Sequence, residues 1–264
     1  MKLFGQQTRA IDQHQADWQQ WQSQRLGQAF MQHERSLLTP LLEKKLGSHL
    51  FQLSIAGCQP LFDHSPIPNQ IFAQISAAGK PFRLQSNCNL VIEPYNLPIA
   101  NDVMDVVVLH HILEYTGNPH QVLREAHRAL TSGGQLFVMG FNPWSLMGAR
   151  KVLTPFNKAP WTGRFRSWIK LADWLKLLGF KLELTQYAFF SAPFNRGTGV
   201  ANNNTAERLG RKYNCFFGST YAIVARKQTI GMTPLYETKF TRRVLTFPVT
   251  EATARSVKML DQST

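Results

Sequence analysis

The sequence predicts an α/β fold in which a mostly parallel, twisted sheet has helices on both faces. The first observation is a β-α-β pattern over residues 104–140, with two apolar runs separated by an amphipathic segment. The second is a pair of strand-like segments, 181–190 and 217–226, which predicts an antiparallel edge to the sheet. The third is a helical pattern over residues 1–47, which predicts an N-terminal helical cap.

The β-α-β unit is the part of the chain with the clearest local signals. Residues 104–109 are mostly β-branched and apolar, which is typical of a strand covered on both faces. Asn118 and Pro119 supply an N-cap and a proline at the first helical position. Glycines 133 and 134 are expected to end the helix, and residues 135–140 form a second buried strand. Such a unit crosses over with a right hand.

These residues also carry a family resemblance. The stretch LPIANDVMDVVVLHHILEY, then LREAHRAL, then GG and QLFVMGF resembles the fourth strand, the following helix and the fifth strand of class I S-adenosylmethionine-dependent methyltransferases. The branch that it resembles is the type 11 group, and GFNPWSLMGAR resembles a bacterial subfamily of that group. The resemblance implies a Rossmann-like methyltransferase fold, S-adenosylmethionine as cofactor and a methyl acceptor that it does not identify.

Three parts of the chain are expected. Residues 1–47 form the cap, residues 48–226 form the methyltransferase-like domain with a basic insertion at 146–170, and residues 227–264 form a basic, mostly disordered tail. Within the domain we predict a first strand and turn at 49–58, a helix near 70–78 and a second strand at 82–86. We also predict a helix that begins at Ser167 and stops at Gly179.

The turn after the first strand departs from the pattern D-x-G-x-G-x-G of the family, whose glycines let the backbone approach the cofactor. Alignment of the strand places Gln52 at the acid, with Ser54 and Ala56 at the first two glycines and Gly57 nearby. The resemblance makes these four residues candidates for cofactor binding. The predicted second strand ends in Gln85-Ser86-Asn87, without the acid that normally binds the ribose, so that contact is unassigned or made by neutral amides.

Two further places are implied to bind the cofactor. Glu93 matches the carboxylate that accepts a hydrogen bond from the adenine amino group in the family. Pro94 has no N–H, so the neighbouring backbone bond would have to come from Tyr95. Leu109 and His110 end the fourth strand and are implied to line the methionine side of the pocket, at the edge where open α/β sheets bind ligands.

His111 is a candidate general base, because an imidazole titrates near neutral pH. It is needed only if the acceptor has to lose a proton, since the methyl group of the cofactor is already activated. His110 and His111 with Glu114 also suggest a metal site. Adjacent strand residues point to opposite faces, however, so we expect no metal there.

Asn142 and Trp144 follow the fifth strand and are candidates for substrate contact, although Trp144 is equally well interpreted as a hydrophobic plug. The insertion at 146–170 has six lysines and arginines and no acid, and Trp161, Phe165 and Trp168 are interleaved with these cations. That composition suits a phosphate or another anionic group, and a solvated flap is the alternative.

The composition places further bounds on function. The formal charge of +13 makes a polyanion such as nucleic acid, or an anionic membrane surface, a plausible partner, but no nucleic-acid-binding motif accompanies it. No apolar run is long enough for a membrane span, and the N-terminus lacks the apolar segment of a signal peptide, so we expect a cytoplasmic protein. Three scattered cysteines predict neither a disulfide framework nor a zinc site.

The leading hypothesis is methyl transfer from S-adenosylmethionine, with the protein supplying alignment and a dry pocket. The alternative is a catalytically inactive methyltransferase fold that binds an anionic partner such as RNA, which the altered first turn, the missing ribose acid and Pro94 favour. A nicotinamide dehydrogenase is disfavoured because no G-x-G-x-x-G follows a predicted strand. Oligomeric state is left open.

Overall fold

The structure, a computed structural model, describes residues 17–55, 59–75, 90–153, 160–191 and 204–228. The strands in this part of the chain are β1 (His49–Ser54), β2 (Asn69–Ile75), β3 (Leu90–Ile92), β4 (Met104–His110), β5 (Leu130–Phe141), β6 (Phe180–Ala188) and β7 (Thr220–Lys227). The helices are α1 (residues 17–23), α2 (Arg25–Leu42), α3 (Pro119–Ala129), α4 (Leu146–Leu153), α5 (Trp168–Leu177) and α6 (Asn204–Lys212). None of these helices combines the length and apolarity needed to cross a membrane.

All seven strands form one sheet, in the order β3-β2-β1-β4-β5-β7-β6. The strands from β1 to β5 pair in parallel, and β7 runs antiparallel to both β5 and β6. The predicted fold class and its antiparallel edge are therefore confirmed. In register, Ser54 lies opposite His110, and His110 lies opposite Met139. The carboxyl ends of β1, β4 and β5 thus meet at one edge, where β7 begins.

Helix α2 crosses that edge and contributes to the cores on both faces of the sheet. Leu26 and Phe30, in its first half, pack in the core that contains the buried side chains of α3 and α5. Leu37, Leu38 and Leu42, in its second half, pack in the core on the opposite face. An 18-residue helix is about 27 Å long, which is enough to span the edge. The residues between the two halves are therefore placed directly above the strand ends.

The β-α-β unit forms as predicted, except where its helix ends and its second strand begins. The side chain of Asn118 accepts a hydrogen bond from the backbone N–H of Gln121, at 3.2 Å, and Pro119 is the first residue of α3. Helix α3 ends at Ala129, so the expectation that Gly133 and Gly134 end it is wrong. Both glycines lie instead within β5, which begins at Leu130 rather than 135, and Gly133 has a φ of +80°. Gly179, with a φ of +84°, follows α5 as predicted, because glycine adopts this left-handed conformation without strain.

A prediction of secondary structure nearer the N-terminus is also wrong. The helix expected near residues 70–78 is instead strand β2, which pairs in parallel with β1 from Asn69 opposite His49 to Gln74 opposite Ser54. Short apolar segments carry little preference of their own, so pairing with a buried neighbour outweighs their helical spacing. The segment predicted as the second strand, 82–86, lies outside the described residues. Nearly all of the predicted tail does so as well, although Lys227 belongs to β7.

Candidate functional site

A carboxylate on α2 joins two histidines at the end of β4. One oxygen of Glu34 lies 2.9 Å from Nε2 of His110, and the other lies 2.9 Å from Nε2 of His111. All three side chains are completely buried. The first half of α2 is fixed by its apolar residues, so Glu34 reaches the strand ends as a consequence of how the helix packs.

Both histidines reach one carboxylate because the strand stops between them. His110 is the last residue of β4, and His111 has a φ of +53°, in the left-handed region. This conformation is uncommon outside glycine and reverses the usual alternation of side chains. The expectation that the two histidines point to opposite faces is therefore wrong. Their imidazole rings are 4.6 Å apart between centroids.

A second set of polar groups surrounds this cluster. The hydroxyl of Thr220, at the start of β7, donates to Glu34 at 2.6 Å. Ser54 Oγ lies 3.5 Å from Nδ1 of His110, and Glu114 Oε1 lies 3.5 Å from Nδ1 of His111. The same Glu114 oxygen accepts the backbone N–H of Phe141 at 2.7 Å. The network therefore joins α2 to the ends of β1, β4, β5 and β7.

Burial and charge act in opposite directions on this cluster. Burial alone would lower the pKa of His111, but the carboxylates of Glu34 and Glu114 raise it to about 10. Burial alone would raise the pKa of Glu34, but His111 and His110 hold it well below its usual value. At neutral pH, Glu34 and His111 thus form a buried ion pair. In this arrangement His111 is protonated, so its predicted role as a general base would require separation from Glu34.

Aromatic side chains close the space above the cluster. The ring of Trp18, from α1, lies 5.2 Å from that of His111 and 5.8 Å from that of Phe141. Phe30, from α2, stacks on Phe141 at 5.1 Å, and both rings are completely buried. These rings therefore cover Glu34, His110 and His111 at the carboxyl end of β4.

The cluster also has the composition of a metal site. One ligand atom from each of Glu34, His110 and His111 lies within 4.8 Å of the other two, and imidazole with carboxylate is a donor set that zinc accepts. Each Glu34 oxygen, however, already has an imidazole partner at hydrogen-bond distance. Ion pairing alone accounts for the arrangement, and the expectation of no metal stays a prediction.

Gln52, at the position of the family's acid, holds the segment after β1 in place. Its amide nitrogen donates to Ser54 Oγ at 2.9 Å and to the carbonyl of Gln59 at 3.2 Å. Its amide oxygen accepts the backbone N–H of Leu61 at 2.8 Å. Gln52 is completely buried, so these contacts are shielded from solvent. The two remaining candidates in the turn, Ala56 and Gly57, lie outside the described residues.

A cavity of about 310 Å³ adjoins this segment. Four amide side chains, one guanidinium and two apolar side chains line it, from residues Gln22, Gln28, Met31, Gln32, Arg35, Gln59 and Leu61. Arg35 donates to the side chain of Gln59 at 3.3 Å and pairs with Asp63 at 2.9 Å. The cavity therefore offers hydrogen-bonding groups beside the end of β1.

The other predicted site residues lie in separate places. Glu93 is exposed, and Tyr95 accepts the backbone N–H of Gly117 through its hydroxyl at 3.0 Å, beside the start of α3. Leu109 is completely buried in the core. Asn142 is buried at the end of β5, whereas Trp144 is largely exposed. The structure thus brings Gln52, Ser54, His110 and His111 together, but it does not add the remaining candidates to that group.

The basic insertion packs its cations on aromatic rings. Arg150 lies 5.0 Å from the ring centre of Trp161, and Lys151 lies 4.2 Å from that of Phe165. Arg166 donates to the backbone carbonyl of Leu113 at 2.8 Å, just beyond β4. Burial lowers the pKa of Arg150, Lys151 and Arg166, so these positive charges are partly desolvated. A partly desolvated cation interacts more strongly with an anion than an exposed one does.

Sequence reasoning did not identify Glu34 as a site residue. It had interpreted the stripe around Glu34 as the core of the cap. A single acid within that apolar stripe, between Phe30 and Leu37 at helical spacing, was the available signal. A charged residue seldom occupies such a position unless it is paired. Its partner, however, is 76 residues away at His110.

Comparison with known proteins identifies the class of domain. The family model described as "Methyltransferase domain" matches residues 66–138. An Escherichia coli (strain K12) protein, "Uncharacterized protein YafS", is 33% identical over 210 residues, which cover 78% of this chain and 80% of that protein.

Two solved structures share the fold. A SAM-dependent methyltransferase from Thermotoga maritima superposes with a TM-score of 0.60 at 18% identity, covering 84% of this chain and 100% of that one. A chain from a complex of the Haloferax volcanii Trm112 methyltransferase activator with a methyltransferase superposes with a TM-score of 0.55 at 14% identity, covering 82% of this chain and 98% of that one.

The domain match confirms the predicted methyltransferase family, the predicted enzyme class and the cofactor that they imply, S-adenosylmethionine. The described residues can accommodate that cofactor at one place but not at another. Amide groups, Arg35 and the apolar side chains of Met31 and Leu61 line a cavity beside the segment after β1, which offers both hydrogen-bonding and apolar contacts to a ligand. At the end of β4 they do not fit it, because Trp18 and Glu34 occupy the space over His110 and His111.

Proposed function

Because the chain belongs to the same family as the Escherichia coli protein YafS and contains a methyltransferase domain, we propose that it methylates an acceptor bearing an anionic group. The single observation that carries methyl transfer is the domain match over residues 66–138. The strand order β3-β2-β1-β4-β5-β7-β6 supports it as the matching fold. A cytoplasmic location belongs to this proposal, on the grounds of the sequence.

S-adenosylmethionine supplies an activated methyl group, so the protein's task is to bind, orient and exclude water. We assign binding to the segment after β1, where Gln52 fixes the backbone of Leu61 and Gln59 faces the cavity. The predicted adenine contact of Glu93 is part of the same proposal. Its carboxylate is exposed and therefore accessible to a ligand.

The anionic character of the acceptor rests on the insertion. Lys151 and Arg166 are partly buried near the same acid, Glu114, at the end of β4. Partly buried cations held over aromatic rings favour a phosphate or carboxylate that enters from this side. The predicted substrate contacts of Asn142 and Trp144 lie on the loop that leads into the insertion.

The closed end of β4 is the observation that favours the second candidate, an inactive fold that binds an anionic partner. The ion pair between Glu34 and His111 lies at the end of β4, where the resemblance implies the methionine side of the cofactor. If this arrangement is permanent, the domain match reflects common ancestry only. The function is then to bind an anionic partner through the cations of the insertion.

Calorimetric titration with S-adenosylmethionine and with S-adenosylhomocysteine separates the two candidates. Methyl transfer predicts saturable binding of both, weakened by Glu93→Ala and unchanged by Glu43→Ala, a matched change at the exposed end of α2. Absence of heat at millimolar ligand, together with retention on a polyanion column, would establish the inactive binder instead.

A second titration tests the acceptor class. Inorganic pyrophosphate is the probe, and Arg166→Gln is expected to weaken its binding about tenfold or more, because a charge-assisted hydrogen bond is lost. Arg164→Gln, a change at an exposed neighbour, is the control. Equal pyrophosphate affinity in all three proteins would contradict an anionic acceptor at this insertion.

A further inference from the structure

Four large apolar side chains are exposed in the segments that follow the end of β5 and precede the start of β7. Trp144 and Leu146 precede or begin α4, and Phe216 and Phe217 precede β7. Their exposed fractions are 63% for Trp144, 55% for Leu146, 51% for Phe216 and 58% for Phe217. We refer to these four residues as the aromatic face. Solvent exposure of one such residue is ordinary, but a group of them marks an interaction surface.

Asn142 holds the two halves of the aromatic face together. Its side-chain nitrogen donates to the carbonyls of Phe216 at 2.5 Å and of Gly218 at 2.9 Å. Its side-chain oxygen accepts the backbone N–H of Trp144 at 3.1 Å. Asn142 is completely buried, and the rings of Phe216 and Phe217 are 3.9 Å apart. The face is thus built on fixed backbone.

The elements that carry the face are basic. Across residues 142–153 and 204–219 the sequence has five lysines and arginines, Arg150, Lys151, Arg208, Arg211 and Lys212, and a single acid, Glu207. That acid is buried, and its carboxylate accepts the backbone N–H groups of Phe189 and Phe190 at 3.2 and 2.9 Å. Arg208 and Lys212 are exposed. The surroundings of the face therefore present positive charge to solvent.

We propose that the aromatic face docks the protein on an anionic lipid bilayer. Tryptophan, phenylalanine and leucine side chains insert at the boundary between headgroups and acyl chains, while nearby lysines and arginines attract anionic headgroups. Val152 and Leu153 extend the exposed apolar surface along α4. Aliphatic side chains add to insertion but provide no stacking surface for bases, which favours a bilayer over single-stranded RNA.

Docking in this orientation directs one particular edge of the sheet at the membrane. The aromatic face lies where β5 ends and β7 begins, the same edge at which β4 ends in His110. Open α/β sheets bind ligands at that edge. The proposal does not depend on methyl transfer, because it rests on the exposed side chains and their charged surroundings alone.

Sedimentation with vesicles tests the proposal. The full-length protein is mixed with vesicles of phosphatidylcholine, or of equal parts phosphatidylcholine and phosphatidylglycerol. We expect binding to the anionic vesicles only, reduced by salt. The double variant Trp144→Ser, Phe217→Ser is expected to lower the partition coefficient about tenfold or more. Arg208→Gln and Lys212→Gln are each expected to lower it about fivefold.

The matched control is Leu46→Ser, Leu177→Ser, which removes two leucines that are 87% and 84% exposed but lie outside the aromatic face. It should bind the anionic vesicles like the unmodified protein, and far-ultraviolet circular dichroism checks that each variant is folded. Three results would each overturn the proposal: no binding to either vesicle, equal loss in the control, or unchanged binding in the double variant. Loss of oligoribonucleotide binding or of self-association in the double variant, without vesicle binding, would assign the face to that partner.

Discussion

Glu34 and His111 form an ion pair of 2.9 Å in the interior of the protein, although 77 residues separate them in the sequence. The pair fastens α2 across the carboxyl edge of the sheet. Removing one partner of a buried pair leaves the other without compensation, which is costlier than never having had the pair.

Glu34→Ala is therefore expected to lower the free energy of unfolding by about 3–5 kcal/mol. Urea denaturation followed by circular dichroism measures the change. Glu43→Ala, which removes an exposed carboxylate one residue beyond the same helix, is the control and should stay within about 0.5 kcal/mol of the unmodified protein. A loss for Glu34→Ala no greater than that of the control would contradict a contribution of the pair to stability.

The dependence of stability on pH follows from the same two residues. His111 has a pKa of about 10 when folded, above its ordinary 6.5, so its contribution is complete below pH 6.5 and declines as pH rises toward 10. The pKa of Glu34 is lowered, so its contribution is present above its ordinary pKa of 4.5 and is lost as pH falls further. The urea midpoint of unfolding should thus be lower at pH 9.5 than at pH 6. In His111→Gln, that difference should become smaller, and an undiminished difference would refute the assignment.

Gln52 is expected to control the segment after β1. Gln52→Ala leaves the buried N–H of Leu61 without its 2.8 Å acceptor, which costs about 1–3 kcal/mol. Hydrogen exchange at the amide of Leu61 should become faster. Gln20→Ala, at an exposed position in α1, should not change it. Unaltered exchange in Gln52→Ala would show that the hydrogen bond does not hold this segment.

Removal of metal ions tests the expectation that the cluster of Glu34, His110 and His111 binds none. Because hydrogen bonds already satisfy the Glu34 oxygens, dialysis against a chelator should leave the thermal midpoint unchanged, and added zinc should not raise it. A rise with zinc that Glu34→Gln abolishes, and that His33→Gln leaves intact, would establish a metal site. His33 is a suitable control because it lies on the same helix.

Local signals predicted much of the fold. The cap of α3 by Asn118 and the stop at Gly179 depend on residues close together in sequence, and the structure contains both. The antiparallel pair of β6 and β7 was predicted from the alternation within each strand and from the family resemblance, and it is also present. Strand β2 was mistaken for a helix, since its conformation is set by pairing with β1 rather than by its own residues.

The candidate site was less predictable for a physical reason. The end of β4 was identified from the sequence, because an apolar strand followed by polar residues marks a sheet edge. Its occupation by Glu34 depends on how α2 crosses the sheet, which no short-range pattern encodes. The left-handed conformation of His111 is likewise stabilised by distant partners, so the alternation rule failed at this residue.

The division of α2 between two cores has a dynamic consequence. Leu26 and Phe30 cannot leave one face of the sheet without disturbing the helix whose Leu38 and Leu42 are anchored on the other. Any motion that exposes His110 is therefore expected to be a cooperative opening of the entire helix, not fraying from one end. Amides along α2 should then exchange with solvent at one shared opening free energy.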